Sequence, residues 1–185
     1  MSTAPPRIAP GGRRDVGLVT WALSHGAGRV QGTGPPNLFL TLGRQRRLFR
    51  GWLRFAGQLM PFGTLPRRET ELVILRVAHL RGCTYEWEHH RHLSRRAGVT
   101  PADIVSVETG PAAPGWSERE RAVLAAVDAL HAAGDLDDER WADLRGHLDE
   151  RAAIELVLLV GHYEMLATAI GTLRIQPDVR RGRRG

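Results

Sequence analysis

Residues 82–92, GCTYEWEHHRH, bring several side chains that could perform chemistry into one short stretch. The stretch holds the only cysteine of the chain, two glutamates and three of the eight histidines. Such a set supports metal binding, thiol redox chemistry or proton transfer, and it is also compatible with an ordinary charged helix face. The side chains that share one face decide between these interpretations.

A helix that starts at Cys83 places Cys83, Glu86 and His90 on one stripe at 100° per residue, together with two apolar residues further along. Apolar company marks this stripe as the inward face, whereas His92 points to the opposite side. An inward glutamate is costly unless it is paired or takes part in the chemistry, so Glu86 is the most informative residue. The alternative is an ordinary i,i+4 pair of Glu86 and His90 on an exposed helix.

The preceding helix supplies a second acid. Its pattern predicts a helix from about residue 67 to residue 81, ended by Gly82, with Glu71 one turn before the apolar Leu75. A hairpin at Gly82 would bring Glu71 towards Glu86 and His90. Two carboxylates and an imidazole in a partly apolar pocket shift one another's pKa, which suits general acid/base catalysis near neutral pH.

The segment 67–100, RRETELVILRVAHLRGCTYEWEHHRHLSRRAGVT, resembles the carboxymuconolactone decarboxylase family, which also contains the alkyl hydroperoxidase D-like proteins. Residues 34–52 and 150–173 look similar to the same family, so the resemblance spans roughly residues 34–175. It implies an all-α, alkyl hydroperoxidase D-like helical bundle: one domain over residues 15–175 with about six to eight helices.

The peroxidase-like branch of that family carries C-x-x-C-x-x-x-H and a glutamate twelve residues before the first cysteine. By resemblance, Cys83 matches the first cysteine, His90 the histidine and Glu71 the upstream glutamate, while Glu86 stands in place of the second cysteine. Thiol–disulfide turnover in that branch uses both cysteines. The resemblance therefore points to the branch that lacks the second cysteine.

The family's namesake reaction is the decarboxylation of 4-carboxymuconolactone without a cofactor. The resemblance thus implies a cofactor-independent lyase that acts on a small carboxylated or lactone-type metabolite. Loss of carbon dioxide leaves a dienolate that must be stabilised and then protonated. We expect His90 to shuttle the proton, oriented by Glu71, with Glu86 as the second acid/base and Cys83 beside them.

Five further side chains are expected to line or close the substrate pocket: Tyr85, His89, Trp87, His162 and Tyr163. Arg76 or Arg91 is a candidate for holding an anionic substrate.

Three alternatives stay open. Glu71, Glu86, His89 and His90 offer ligands for zinc or iron, although the chain has no H-E-x-x-H motif. A one-cysteine hydroperoxidase would use Cys83 and an external thiol for resolution. A non-catalytic helical oligomerisation module would retain the pocket without its chemistry.

The elements that must position these residues are helices, because apolar residues recur at intervals of three and four. Ser117 and Glu120 form a capping box that predicts a helix start. A final helix, about 150–172, is apolar on nearly all sides, which indicates a core or subunit-contact helix. Glycines and prolines predict a loop over 25–37, and residues 1–14 and 176–185 are expected to be disordered tails.

The formal charge of +6 does not by itself indicate a nucleic-acid partner, because seven arginines lie in residues 1–14 and 180–185. Lysine is absent from the sequence, which excludes Schiff-base catalysis by a lysine side chain. One cysteine excludes an intrachain disulfide. We expect a cytoplasmic, bacterial, homo-oligomeric protein, a trimer or hexamer by resemblance, with a small-molecule substrate and with no metal, nucleic-acid or membrane partner.

Overall fold

The computed structural model describes residues 4–180, and these residues form an all-α structure, as predicted. Ten α-helices lie within this range, more than the six to eight expected. They are α1 (Arg13–Val16), α2 (Leu18–Gln31), α3 (Asn37–Leu42), α4 (Arg46–Leu59), α5 (Arg67–Leu80), α6 (Thr84–Leu93), α7 (Pro101–Thr109), α8 (Glu118–Ala133), α9 (Asp138–His147) and α10 (Glu150–Leu173), with a 3₁₀ turn at Ser94–Ala97.

The chain divides into two compact units. The first comprises residues 1–55 and 169–185, and the second comprises residues 56–168. Charge is distributed unevenly between their sequences: the first unit has 14 arginines and 2 aspartates, a formal charge of +12, whereas the second has 12 arginines and 18 acids, a formal charge of −6. The basic excess was expected at the chain ends. It is not confined to them, because the first unit also includes four arginines of α4.

The second unit is built around α5, in which every residue from Glu69 to Ala78 is buried. Leu72 and Leu75 of α5 enter a core cluster with Trp116 and Leu124, and burying such side chains stabilises by about 1.5–3 kcal/mol each. The capping box predicted at Ser117 and Glu120 is confirmed at the start of α8. The site-bearing helix α5 is thus held at the centre of its unit.

Ion pairs between helices fix the orientation of α5. Arg68 pairs with Asp103 of α7 and with Glu120 of α8, and Arg119 of α8 pairs with Glu69. Deeper along α5, the buried Arg76 pairs with Asp128 of α8 and also donates to backbone carbonyls at the end of α7. These contacts hold α5 against α7 and α8.

The expected loop at 25–37 is wrong in its first half, because α2 continues to Gln31 through Gly26 and Gly28. Position 28 requires glycine, because a Cβ there would lie only 2.2 Å from the Gly34 carbonyl oxygen. Within the first unit, then, a glycine that suggested a loop serves a close backbone approach.

The structure also differs from the expected disordered ends. The amide of Gly11 donates to the Leu40 carbonyl, and α1 begins at Arg13, inside the expected N-terminal tail. Asn37 bonds to Gln176 and Asp178, which lie in the expected C-terminal tail. Backbone and side-chain hydrogen bonds therefore order residues 4–14 and 176–180. The expected tail residues 1–3 and 181–185 lie outside the described range.

Within the described range, α10 is long and apolar enough to cross a membrane, judged by length and composition alone. The most apolar stretch of 18 residues in α10 has a mean hydropathy of 1.5, because its apolar residues outweigh the polar residues among them. Half of that stretch is buried within the chain. Glu155 of α10 accepts hydrogen bonds from the Thr64 and Leu65 amides. The core helix of a soluble protein has the same length and composition.

Candidate acid/base site

The site forms where α5, α6 and α10 approach one another within the second unit. Helix α5 ends at Leu80, and Gly82 adopts a positive φ of 58° that turns the chain into α6, as the sequence predicted. Cys83, Glu86 and His90 are buried, in agreement with the predicted inward stripe, and His92 is exposed. The hairpin thus brings the acid of α5 to the stripe of α6.

His90 lies at the centre of the site, between two carboxylates. Its Nδ1 is 2.8 Å from Glu71 Oε2, and its Nε2 is 3.3 Å from Glu86 Oε2. Glu71 is 0 % exposed, Glu86 4 % and His90 3 %. Tyr163 of α10 completes the group, with its hydroxyl 3.3 Å from His90 Nε2.

The two carboxylates favour a charged imidazole. Burial alone lowers the pKa of His90, but the hydrogen bonds with Glu71 and Glu86 outweigh burial and raise the pKa to about 9. His90 is therefore an imidazolium at neutral pH and donates from both ring nitrogens. Nδ1–H is directed to Glu71, while Nε2–H is shared between Glu86 and the Tyr163 oxygen.

Arg67 is a site residue that the sequence analysis missed. Its guanidinium lies 2.9 Å from Glu71 Oε1, so the Glu71 carboxylate is shared between Arg67 and His90. Arg67 precedes Glu71 by four residues, a spacing that places two side chains on the same helix face and that could have revealed the pair.

The pKa values of the neighbouring histidines shift in the opposite direction to that of His90. Burial, followed by repulsion from His90, lowers the pKa of His89 to about 4. Burial also lowers the pKa of His162, and the negative charge of Glu86 opposes this shift. Burial raises the pKa of Tyr163 well above its usual range. These rings are therefore uncharged walls around a charged centre.

Cys83 occupies the N-cap position of α6 and is buried. Burial raises the pKa of the thiol, although hydrogen bonds from the backbone amides of Glu86 and Tyr85 oppose the shift. The thiol is therefore protonated at neutral pH, and its reactivity is lower than that of an exposed cysteine.

The structure places the predicted pocket residues in two environments. Tyr85 stacks on His89, and the His162 and Tyr163 rings meet edge to face beside the site. Trp87, by contrast, packs against the core cluster, with its ring 5.8 Å from His79. The packing of Trp87 is therefore that of a core residue.

The arginines proposed for an anionic substrate have other partners. Arg76 is engaged with Asp128, and Arg91 pairs with Glu88 on the outer side of α6. Within residues 4–180, no group of three or more His, Cys, Asp or Glu side chains is arranged to hold a metal ion.

Comparison with known structures shows that the chain has the fold of the alkyl hydroperoxidase D-like proteins. It aligns with an alkylhydroperoxidase AhpD core protein of Ralstonia eutropha JMP134, described as an uncharacterized peroxidase-related protein, at a TM-score of 0.83 and 18 % identity, covering 95 % of this chain and 94 % of that one. A peroxidase-related protein of Silicibacter sp. TM1040 aligns at a TM-score of 0.79 and 16 % identity, covering 95 % of each chain.

A third similar structure is a cysteine-to-alanine variant of the debrominase Bmp8 in complex with 2,3,4-tribromopyrrole. Its TM-score is 0.80 at 21 % identity, and the alignment covers 95 % of this chain and 93 % of that one. No curated protein matches the sequence significantly. Residues 46–129 match the model of the carboxymuconolactone decarboxylase family, as the resemblance implied.

Proposed function

We propose that this protein is a cofactor-independent acid/base enzyme, and that Glu86 and His90 transfer the proton. The observation that supports the proposal best is the position of His90, which is held at both ring nitrogens by buried carboxylates on two different helices. Glu71 fixes the ring orientation from the Nδ1 side, and the Nε2–H that lies next to Glu86 is the proton that would pass to the substrate.

The arrangement suits reactions that pass through an enolate. Glu86 accepts a proton from the substrate, and the electron pair of the broken bond moves onto the substrate oxygen. That oxygen is stabilised by the imidazolium N–H of His90, with the Tyr163 hydroxyl beside it. Decarboxylation uses the same centre: carbon dioxide leaves, the electron pair forms the dienolate, and His90 returns a proton to carbon.

The substrate class is part of this proposal. The family resemblance favours a small carboxylated or lactone-type metabolite and a lyase-type reaction. A screen of purified protein with carboxylated lactones, β-keto acids and hydroperoxides tests it. Turnover of a lactone or keto acid without added thiol supports acid/base chemistry, whereas turnover only in the presence of a thiol reductant contradicts it.

A thiol-dependent reaction is the second candidate, and the position of Cys83 favours it. The sulfur lies at the N-cap of α6, where the backbone of Glu86 and Tyr85 lowers its pKa against the effect of burial, and similar structures include peroxidase-related proteins and a debrominase variant in which a cysteine is replaced. Thiolate catalysis would nevertheless have to overcome the raised pKa of Cys83.

Replacing Cys83 with serine separates the two candidates. Under acid/base catalysis, we expect kcat/KM of Cys83→Ser to stay within about threefold of the unmodified chain, because serine removes the thiol and keeps a small polar side chain at the N-cap of α6. A loss of at least about 10³-fold, the order expected when a nucleophile is removed, would instead assign the reaction to the thiol.

Self-association also remains a proposal. The family resemblance implies a trimer or hexamer, and α10 exposes apolar side chains, including Ile154, Leu158 and Met165. We expect light scattering coupled to size exclusion to give a mass of three or six chains of 20.5 kDa each. A mass of one chain at micromolar concentration would contradict this.

A further inference from the structure

The Glu86 carboxylate has one oxygen that the chain does not use. Oε2 faces His90, but Oε1 is buried and has no hydrogen-bond partner within residues 4–180. A buried carboxylate oxygen without a partner is expensive, and native structures rarely keep one without a reason. Glu71, the matching acid on α5, uses both of its oxygens, one for Arg67 and one for His90.

We propose that Glu86 Oε1 binds a hydrogen-bond donor of the substrate. The part of the substrate next to Oε1 is therefore a neutral, planar group with a hydroxyl or ring N–H, and any carboxylate of the substrate is bound away from this oxygen. A carboxylate oxygen only accepts hydrogen bonds, so the ligand atom that meets Oε1 must donate one. The inference rests on the proposed function in that it concerns the same site, and it adds the chemical class that the site accepts.

The charge of the site argues against an anion at this position. Glu71, Glu86, His90 and Arg67 together sum to zero when all are ionised. Arg67 is already committed to Glu71, and the other two arginines considered for the substrate pair elsewhere. A ligand carboxylate against Glu86 would add a buried negative charge beside an existing one, which is strongly unfavourable where water is excluded.

The surroundings of Glu86 favour a flat ligand. The rings of His90 and Tyr163 meet edge to face at 5.4 Å, and His162 meets Tyr163 at 5.2 Å. A phenol-, enol- or azole-type group can donate to Oε1 while its ring contacts these aromatic faces. On proton transfer, the O–H or N–H bond breaks, the proton moves to Glu86 and the electron pair stays on the ligand, facing the positive charge of His90.

Three probes of similar size test the inference with the full chain: phenol, which donates; anisole, which does not; and benzoate, which is anionic. We expect phenol to bind at least about tenfold more tightly than either of the others at pH 7, since a hydrogen bond to a charged group is worth about a factor of ten or more. We also expect phenol, but not anisole, to shift the His90 imidazole resonances in NMR spectra.

The Glu86→Gln variant should lose most of the preference for phenol over benzoate, because the neutral amide no longer repels the benzoate carboxylate. Glu88→Gln is the matched control, two residues along the same helix and half-exposed, and it should bind like the unmodified chain. Benzoate binding as tightly as phenol, no measurable binding of any probe, or an unchanged preference in a folded Glu86→Gln variant would overturn the inference. Because the assay needs no turnover, these outcomes are separate from failure of the proposed reaction.

Discussion

Replacing Glu86 with glutamine is expected to lower kcat/KM by about 10²–10⁴-fold, the range contributed by a positioned general acid or base. Glutamine keeps the shape of the side chain and its place beside His90, but it cannot accept a proton. The far-ultraviolet circular dichroism spectrum should remain that of the unmodified chain. The rate is measured with whichever lactone or keto acid the screen identifies.

Two companion variants make this result specific. His90→Ala removes the other partner of the proton transfer and should be at least as inactive as Glu86→Gln. Glu88→Gln changes an exposed acid of α6 that pairs with Arg91, and its kcat/KM should be unchanged. If Glu86→Gln and His90→Ala both keep full activity, the assignment of the proton transfer to these residues is wrong.

Replacing Glu71 with glutamine is expected to lower the free energy of unfolding at pH 7 by about 3–5 kcal/mol, the usual cost of removing one partner from a buried ion pair. Glu71 is fully buried and contacts both His90 and Arg67. Without it, His90 must either hold a poorly paired charge or lose its proton. Chemical denaturation of the two proteins at pH 7 measures the difference.

The same variant should change how stability depends on pH. The pKa of His90 is raised from about 6.5 in the unfolded chain to about 9 in the folded chain. Its stabilising contribution is therefore fully present below pH 6.5 and is lost as pH rises through 9, a decrease of about 3 kcal/mol. In Glu71→Gln, this decrease between pH 6.5 and 9 should largely disappear.

Glu69→Gln provides the control for the pH effect. Glu69 lies on the same helix and is buried, but it pairs with Arg119 rather than with His90. Its loss should reduce stability without removing the dependence between pH 6.5 and 9. If Glu71→Gln retains the full pH dependence, another group titrates there and Glu71 does not hold the proton on His90.

Much of this site could be predicted from the sequence, because its geometry is local. Helical periodicity places Cys83, Glu86 and His90 on one face, and the glycine at 82 indicates the hairpin that brings Glu71 to them. Arg67 stands four residues before Glu71, so the i,i+4 spacing alone indicates this pair, although the apolar pattern of the helix does not.

Contacts between distant parts of the chain could not be predicted in this way. Tyr163 was expected at the pocket, but its contact with His90 across 73 positions follows from no local spacing, and neither does the bond of Asn37 to Gln176 across 139. Gly28 lies inside a helix because of a close approach to Gly34 that composition does not reveal. Local rules therefore predicted a loop and tails where tertiary contacts produce a helix and hydrogen-bonded ends.

The protonation state of His90 is the most direct test of the charged centre on which the proposed chemistry depends. Histidine labelled with ¹⁵N gives the ring nitrogen shifts by NMR, and a His90→Gln variant assigns the His90 signals among the eight histidines. We predict a doubly protonated ring up to pH 8 and a titration near pH 9. A His90 ring that is neutral at pH 7.5, with a pKa below 7, would contradict the account.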